Sequence, residues 1–255
     1  SPNPAVVALG GTVEISVVAT GSGPLTYQWR KVNTPLDLLP SNATAKSNKL
    51  VLSPVTLNDV GSYNVVVSNG YGTSAPSASI SVTVVMDPVI KTQPVGLTVA
   101  VGPAAVAKFL VATDVAPPAG VSVGYVWKKG GVEIPSSNAS ARQAVLTVSV
   151  PDMSAAGDYT VEIFHYRGTD PTSRVGNSVT SAVAKLTTID PPRDVVAATA
   201  QTIVAVGSTV ELTAAALGAT PMGIAWRKNG TAVSGGGSEG MISVKGGTLP
   251  ASSPL

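Results

Sequence analysis

The sequence contains no cysteine and only one histidine, His165, among its 255 residues. Without thiols the chain forms neither disulfides nor a thiolate nucleophile, and it has no cysteine ligands for zinc or an iron–sulfur cluster. A single imidazole excludes metal sites built from several histidines and leaves one side chain as the base of a Ser-His-Asp arrangement. These two absences remove several common catalytic machineries.

Charged residues are also scarce: Lys, Arg, Asp and Glu make up 12% of the chain, and the net charge is only +2. Lys128 and Lys129 form the only adjacent lysine pair, so the clustered basic face that phosphate binding needs is not visible. The longest uncharged run, residues 64–86, contains Asn, Gly, Pro and five serines, which does not fit a membrane span. We therefore expect neither nucleic-acid binding nor a membrane span.

Three tryptophans in matching contexts reveal an internal repeat. Trp29, Trp127 and Trp226 each precede a basic pair, and they are spaced by 98 and 99 residues. Self-similarity at a fixed period has to be identified before a fold is assigned, because it defines the unit that folds. The sequence therefore predicts a repeating unit of about 98 residues.

Within each unit, apolar residues alternate with polar ones at a period of two. Val13, Ile15 and Val17 alternate with Glu14 and Ser16, as strands with one buried face require. The chain also has 26 Gly and 20 Pro. Short strands separated by turns roughly every 8–12 residues predict a two-sheet β sandwich in each unit. The predicted fold class is all-β.

A second shared motif follows the first two tryptophans. The stretch Asp59-x-Gly61-x-Tyr63 corresponds to Gly157-x-Tyr159 in the next unit. A buried Trp on one strand, followed by a Tyr that opens a later strand after a D-x-G corner, resembles tandem bacterial immunoglobulin-like domains close to the I-set pattern. Such domains are found in long secreted and surface proteins. The resemblance covers essentially the whole chain.

The resemblance implies that valines replace the two cysteines usual in the family. Val17 and Val65 stand at these positions in the first domain, and Val111 and Val161 in the second. A disulfide contributes about 2–4 kcal/mol, and burial of a valine side chain contributes about 1.5–3 kcal/mol, so apolar packing offsets part of each lost bridge. Ala155 replaces the corner aspartate in the second domain, and we expect a looser corner there.

The expected architecture is a series of tandem immunoglobulin-like β-sandwiches, with domains at residues 1–86, 87–190 and 191–255. Only 29 residues follow Trp226, so the third domain is expected to be incomplete and to lack the family's F and G strands. Two explanations stay open. Either the sequence is a fragment of a longer repeat protein, or a neighbouring chain donates a strand, for which Ala5–Leu9 is the natural donor.

Proline marks both joints between the predicted domains, with Asp87-Pro88 at the first and Asp190 followed by two prolines at the second. Because proline fixes φ, stiff joints and an extended rod are expected. With Asp194, these aspartates offer carboxylates for Ca²⁺, but one acid per joint falls short of the roughly six to eight oxygens that calcium takes. Asp-Pro turn chemistry is the simpler explanation, and no metal or cofactor is predicted.

The loop at residues 166–176 is the predicted contact surface, because loops of such sandwiches often bind ligands. Its candidate contact residues are Arg167, Asp170 and Arg174. His165, immediately before the loop, is interpreted as a structural or solvent-facing residue rather than a catalytic base or metal ligand.

The remaining residues of interest are possible glycosylation sites and residues of the predicted core. Asn42, Asn138 and Asn229 each begin an N-x-Ser/Thr acceptor motif, and glycosylation at them is left open. The residues expected in the structural core are Trp29, Tyr63, Trp127, Tyr159 and Trp226.

By class, the sequence predicts a non-enzymatic structural or adhesive protein, secreted or on the cell surface, built of stiff immunoglobulin-like repeats. Because the low charge leaves little repulsion between copies, assembly into a filament or surface layer is part of this prediction. The expected partners are proteins, including further copies of this chain. The alternative is an accessory, carbohydrate-binding region of a large secreted hydrolase. No acid–base pair or nucleophile at informative spacing supports an enzyme.

Overall fold

The computed structural model describes residues 4–32, 42–114, 116–197, 209–217, 225–232 and 241–245. In this part of the chain, every regular element is a β-strand or a short 3-10 helix, so the predicted all-β class is confirmed. The chain forms two compact units. Unit 1 contains Ser1–Gly96, Lys108–Thr147 and Gly157–Lys185, and unit 2 contains Leu97–Ala107, Val148–Ala156 and Leu186–Leu255.

The first sandwich lies in unit 1. Its strands are β1 (Ala5–Ala8), β2 (Val13–Ser16), β3 (Thr26–Lys31), β4 (Lys49–Leu52), β5 (Gly61–Asn69), β6 (Gly72–Thr73) and β7 (Ile80–Val85). One sheet has the order β1-β7-β5-β3 with β6 paired to β5, and the other pairs β2 with β4. β1 runs parallel to β7, whereas β3 and β5 are antiparallel. Two 3-10 helices, Ala43–Lys46 and Leu57–Asp59, join strands of the two sheets.

The core of the first sandwich forms around a tryptophan. In β2 the apolar residues are buried and the polar ones exposed, as the alternation predicts. Trp29 on β3 is 1% exposed and packs in one cluster with the buried Tyr63. Its indole N–H donates to the carbonyl of Ser47 at 2.9 Å, which satisfies the polar atom. The valines at the family's cysteine positions belong to the same cluster, with Val65 buried and Val17 half-buried.

The described residues of the second repeat form ten strands. They are β8 (Ile90–Thr92), β9 (Leu97–Ala100), β10 (Val106–Leu110), β11 (Ala112–Thr113), β12 (Val121–Lys129), β13 (Val132–Glu133), β14 (Val145–Ser149), β15 (Gly157–Arg167), β16 (Arg174–Thr180) and β17 (Ala184–Ile189). In unit 1, β12 pairs with β13 and β15, β15 with β16, and β8 with β11, all antiparallel. In unit 2, β17 runs parallel to β9. The 3-10 helices are Ala139–Arg142 and Met153–Ala155.

The core of the second repeat follows the same plan. Trp127 is fully buried, and its indole N–H donates to the carbonyl of Gln143 at 2.8 Å. The ring of Phe109 stacks on that of Tyr159, with centroids 4.9 Å apart. Both valines at the cysteine positions are buried. The tryptophan and the tyrosine of the shared motif therefore occupy equivalent interior positions in the two sandwiches.

The C-terminal strands lie in unit 2. They are β18 (Arg193–Ala197), β19 (Thr209–Leu217), β20 (Arg227–Lys228), β21 (Thr231–Ala232) and β22 (Met241–Lys245). Three of them form an antiparallel sheet of order β18-β19-β22. β20 and β21 form a hairpin through Asn229 and Gly230, whose φ angles of 47° and 82° suit a two-residue turn. The predicted absence of the F and G strands concerns residues after 245, which lie outside the described residues.

The segment Ala5–Leu9, the expected strand donor, already has a partner in its own sandwich. β1 pairs along its whole length with β7, from Ala5 opposite Val82 to Ala8 opposite Val85. The N–H of Leu9 continues the pairing by donating to the carbonyl of Val85 at 2.9 Å. The first three residues of β1 are also buried. This segment is therefore not available as a donor to the third domain, because its backbone groups and apolar side chains are in use.

Candidate functional site: the joint between the first two sandwiches

The corner of the first sandwich is built by the D-x-G-x-Y stretch. The carboxylate of Asp59 accepts from the backbone N–H and the hydroxyl of Thr56, both at 2.7 Å. The hydroxyl of Tyr63 donates to the carbonyl of Asp59 at 2.9 Å. Burial, with a smaller contribution from the charge of Asp59, raises the pKa of Tyr63 to about 12. Gly61 suits this corner because its φ is 150°, a backbone conformation that residues with a Cβ rarely adopt.

The corner of the second repeat has a carboxylate at a different position. Asp152, three residues before Ala155, accepts from the backbone N–H of Ser154 at 2.8 Å and so caps the 3-10 helix. Tyr159 is buried, and burial raises the pKa of its hydroxyl. The 3-10 helix at this corner is therefore capped by Asp152, although Ala155 replaces the corner aspartate. The looser corner expected from Ala155 stays a prediction.

Two of the N-x-Ser/Thr motifs serve as turn caps. The carboxamide oxygen of Asn42 accepts from the backbone N–H of Thr44 at 3.0 Å, and its NH₂ donates to the carbonyl of Val51 at 2.6 Å. Asn138 makes the same two bonds in the second sandwich, at 3.1 and 2.9 Å. Asn229 instead occupies a hairpin turn. At the first two positions, the Asn and the small residue two places later are explained by capping of the 3-10 helix.

Four valines form a small apolar cluster where the two sandwiches meet. Val6 and Val85 come from the first sandwich, and Val121 and Val175 come from the second. All four are buried. We call this set the joint cluster. Because burying a valine side chain contributes about 1.5–3 kcal/mol relative to exposing it, the cluster favours contact between the two sandwiches.

The linker residue Asp87 binds the β16 strand of the second sandwich. Its Oδ1 accepts from the backbone N–H of Asn177 and its Oδ2 from the side-chain amide of the same residue, both at 2.8 Å. Gly176 has a φ of 75°, and a Cβ there would lie 2.5 Å from Oδ1 of Asp87. Further along the linker, the carbonyl of Val89 accepts from the N–H of Asp114 at 2.9 Å. Asp87, considered above for calcium, thus holds the linker against the second sandwich.

Two basic side chains at the end of β15 complete the joint. His165 is 4% exposed, and its Nδ1 lies 3.0 Å from the carbonyl of Met86 in the linker. Such a contact requires the proton on Nδ1, because a carbonyl only accepts. The guanidinium of Arg167 donates to the carbonyl of Val6 at 2.7 Å. His165 therefore has a structural position, and Arg167 reaches back to the first sandwich.

The other two candidate contact residues make bonds within the second sandwich. Arg174 donates to Oε1 of Glu162 at 2.6 Å, and its guanidinium lies 3.7 Å from the ring centroid of Phe164. Lys128 binds Oε2 of Glu162 at 3.1 Å. The bond from Arg174 lowers the pKa of Glu162 most, burial opposes it, and the bond from Lys128 lowers it further, to about 2.

Asp170 closes the loop between β15 and β16. Its carboxylate accepts from the backbone N–H of Thr172 at 2.9 Å and from the Thr172 hydroxyl at 2.7 Å. These bonds lower the pKa of Asp170. Arg167, Asp170 and Arg174 are thus each bound within the protein, one at the joint, one in the turn and one on the sheet. Their contact with a partner stays a prediction.

The described residues show no grouping of three or more His, Asp or Glu side chains that would hold a metal ion. No helix in the described ranges combines the length and the hydropathy needed to cross a bilayer. Trp226 is half-buried, and its indole N–H has no hydrogen-bond partner among the described residues. Its expected place in a core stays a prediction.

Comparisons with known proteins agree with this architecture. Residues 1–69 match the family model described as immunoglobulin domain. Over 95% of this chain and 84% of that chain, the fold matches a three-domain immunoglobulin fragment of titin, with a TM-score of 0.61 at 21% identity. This likeness shows the fold alone, which is that of tandem immunoglobulin-like β-sandwiches.

Three curated animal proteins are similar in sequence. Protein sidekick-1 of Gallus gallus is 28% identical over 177 residues, which are 66% of this chain and 8% of the relative. Roundabout homolog 1 of Rattus norvegicus is 29% identical over 236 residues, 91% of this chain and 13% of the relative. The basement membrane-specific heparan sulfate proteoglycan core protein of Mus musculus is 36% identical over 73 residues, 29% of this chain and 2% of the relative. The chain thus spans a small part of each relative.

Proposed function

We propose that this chain is a non-enzymatic spacer region of an extracellular structural or adhesive protein, in which immunoglobulin-like domains are held at a fixed joint. The observation that carries this proposal is the set of contacts at the first joint. These contacts bind three residues of the linker. His165 contacts the carbonyl of Met86, Asn177 donates to the carboxylate of Asp87, and the N–H of Asp114 donates to the carbonyl of Val89. A short linker bound along its length restricts hinge motion between the domains it joins.

Both sandwiches contribute groups to these contacts, and this strengthens the proposal. The first sandwich contributes two valines and a backbone carbonyl, and the second contributes two valines, an imidazole, a guanidinium and an asparagine. Interfaces between domains of one chain are usually small and permit motion. Here apolar burial and directional hydrogen bonds act on the same few residues, so we expect the two domains to tumble as one body.

The similar proteins support only the class of function proposed, that of an extracellular structural or adhesive protein, and no specific activity. One of them is named as a basement membrane core protein, and the match covers a single domain's length of this chain. The bacterial source implied by the sequence resemblance has no support from the similar proteins named above, which come from animals. Assembly into a filament or layer stays a prediction.

Residual dipolar couplings of the whole chain test the fixed joint. In the wild type, couplings from the first two sandwiches should fit one alignment tensor. In Asp87→Ala, the carboxylate that binds Asn177 is lost, so the two domains should fit different tensors. Asp158→Ala removes a carboxylate of the exposed start of β15 and serves as the control. Separate alignment tensors for the two sandwiches of the wild type would overturn the spacer proposal. In a separate binding measurement, glycan binding by the chain would favour the alternative of an accessory region of a secreted hydrolase.

A further inference from the structure

The three asparagines that begin an N-x-Ser/Thr motif lie in two kinds of environment. Asn42 and Asn138 precede equivalent 3-10 helices of the first two sandwiches, whereas Asn229 lies in the turn of the β20–β21 hairpin. Such a motif accepts an N-linked glycan where an enzyme can reach the amide of the asparagine and the hydroxyl two residues later, which places it on the surface. The neighbours of these two groups therefore distinguish the three motifs.

In the first sandwich, both groups of the motif are bound to strand β4. The NH₂ of Asn42 donates to the carbonyl of Val51 at 2.6 Å. The hydroxyl of Thr44 accepts from the N–H of Val51 at 2.8 Å. Asn42 and Thr44 are both half-buried. Modification of Asn42 in the folded chain therefore requires that the motif first separate from β4.

The second sandwich binds its motif in the same way. The NH₂ of Asn138 donates to the carbonyl of Thr147 on β14 at 2.9 Å, and the hydroxyl of Ser140 accepts from the N–H of Thr147 at 2.9 Å. Asn138 and Ser140 are half-buried. Because the amide and the hydroxyl are bound to the next strand in both sandwiches, the first two motifs are structural features of the repeat.

The third motif lies at the tip of a hairpin. Asn229, Gly230 and Thr231 are all exposed. In the described part of the chain, a Cβ added at Gly230 would meet no other atom within 4 Å. The space around the centre of this turn is therefore open to a bulky group.

The hairpin that carries Asn229 is also short. Its residue pairs are Arg227 with Ala232 and Lys228 with Thr231. As far as the described residues extend, β20 and β21 pair with each other and with no further strand. An isolated two-stranded hairpin is marginally stable, so local opening that presents the motif to an enzyme breaks few backbone hydrogen bonds. The third motif is therefore accessible in its amide, its hydroxyl and its backbone.

We propose that Asn229 is the position at which the folded chain accepts an N-linked glycan. In this reaction Nδ2 of Asn229 forms a bond to the anomeric carbon of an oligosaccharide. The bond from that carbon to the diphosphate of a polyisoprenyl carrier breaks, the carrier diphosphate leaves, and the amide loses one proton. The proposal rests on the proposed extracellular function, because this modification belongs to secreted proteins.

A purified oligosaccharyltransferase with its lipid-linked oligosaccharide tests the proposal on the folded whole chain. Glycopeptide mass spectrometry measures the occupied fraction at each asparagine. Occupancy at Asn229 should exceed that at Asn42 and at Asn138 on the order of tenfold, because two hydrogen bonds of each of those motifs must break first. Thr231→Ala should abolish modification of Asn229, since the motif then lacks its hydroxyl.

Three synthetic peptides, with the sequences of residues 38–46, 134–142 and 225–233, are the matched controls. The peptides lack β4 and β14, so the enzyme should modify all three, and each site of the folded chain is compared with its own peptide. Equal ratios of folded-chain to peptide occupancy at Asn42 and Asn229 would overturn the proposal. An unmodified Asn229, in the folded chain or in its peptide, would also overturn it. None of these results affects the first joint, which the dipolar couplings test separately.

Discussion

In each of the first two sandwiches, one asparagine side chain caps a 3-10 helix and donates to the strand that follows it, Asn42 to β4 and Asn138 to β14. For Asn138, the carboxamide oxygen caps the 3-10 helix and the NH₂ binds the carbonyl of Thr147. Asn138→Ala loses both bonds and is expected to destabilise the second sandwich by about 1–2 kcal/mol. Asn138→Ser keeps the cap and should lose about half as much. Urea unfolding followed through signals of the second sandwich measures both, and equal losses would show that the cap contributes nothing.

Glu162 is expected to make stability depend on pH. Its pKa is about 2 in the folded protein against an ordinary value of 4.5, so the contribution is complete above about pH 4.5 and is lost as the pH falls towards 2. Glu162→Gln should cost about 1–2 kcal/mol at neutral pH, and the difference from wild type should vanish in acid. Unfolding at a series of pH values measures it.

A matched control separates this effect from the loss of any ion pair. Glu133 pairs with Arg142, but its side chain is 56% exposed, so Glu133→Gln should change stability by less than about 1 kcal/mol. A loss for Glu162→Gln that stayed constant from neutral to acid pH would contradict the assignment of the low pKa to the bonds from Arg174 and Lys128.

At the scale of elements, the β15–β16 hairpin contains two glycines that share a positive φ but differ in the atoms that surround them. Gly168 and Gly176 both have positive φ, at 58° and 75°, so an alanine at either costs about 1 kcal/mol in backbone strain. A Cβ at Gly168 meets nothing within 4 Å, whereas one at Gly176 meets Oδ1 of Asp87. Gly176→Ala should therefore also speed hydrogen exchange of the Asn177 amide, on the order of tenfold. Equal exchange in both variants would contradict the role of Asp87.

The strands could be predicted from sequence, whereas the joint could not. Alternation in β2 and the repeated Trp and Tyr positions indicate which side chains face the core, because these signals are local. Asp87 and Asn177 are 90 residues apart, and the Asp-Pro pattern at Asp87 marks a joint without indicating that its carboxylate binds Asn177. The loop with Arg167 and Arg174 is predicted to be a contact surface because loops of such sandwiches often bind ligands, and contact with a partner stays a prediction. The bond from Arg167 to the carbonyl of Val6 depends on how the sandwiches meet, and the bond from Arg174 to Glu162 depends on the pairing of β15 with β16, so neither could be predicted from the loop's sequence.

At the scale of the whole molecule, the repeat allowed the fold to be predicted without knowledge of any contact. A low net charge of +2 predicts that copies repel one another weakly, so sedimentation velocity should show association that increases with concentration. A variant with Val95→Lys and Val183→Lys, at two exposed positions, should stay monomeric to higher concentration. Monodisperse monomers of the wild type in concentrated samples would contradict this prediction.

The joint cluster has a practical consequence for dissecting the protein. A cut between residues 86 and 87, where the sequence suggests a boundary, would leave Val6 and Val85 on one piece and Val121 and Val175 on the other, each newly exposed to water. We expect the separated pieces to be less soluble and to unfold at lower denaturant concentration than the same sandwiches do together. The smallest piece that represents the native energetics is therefore the pair.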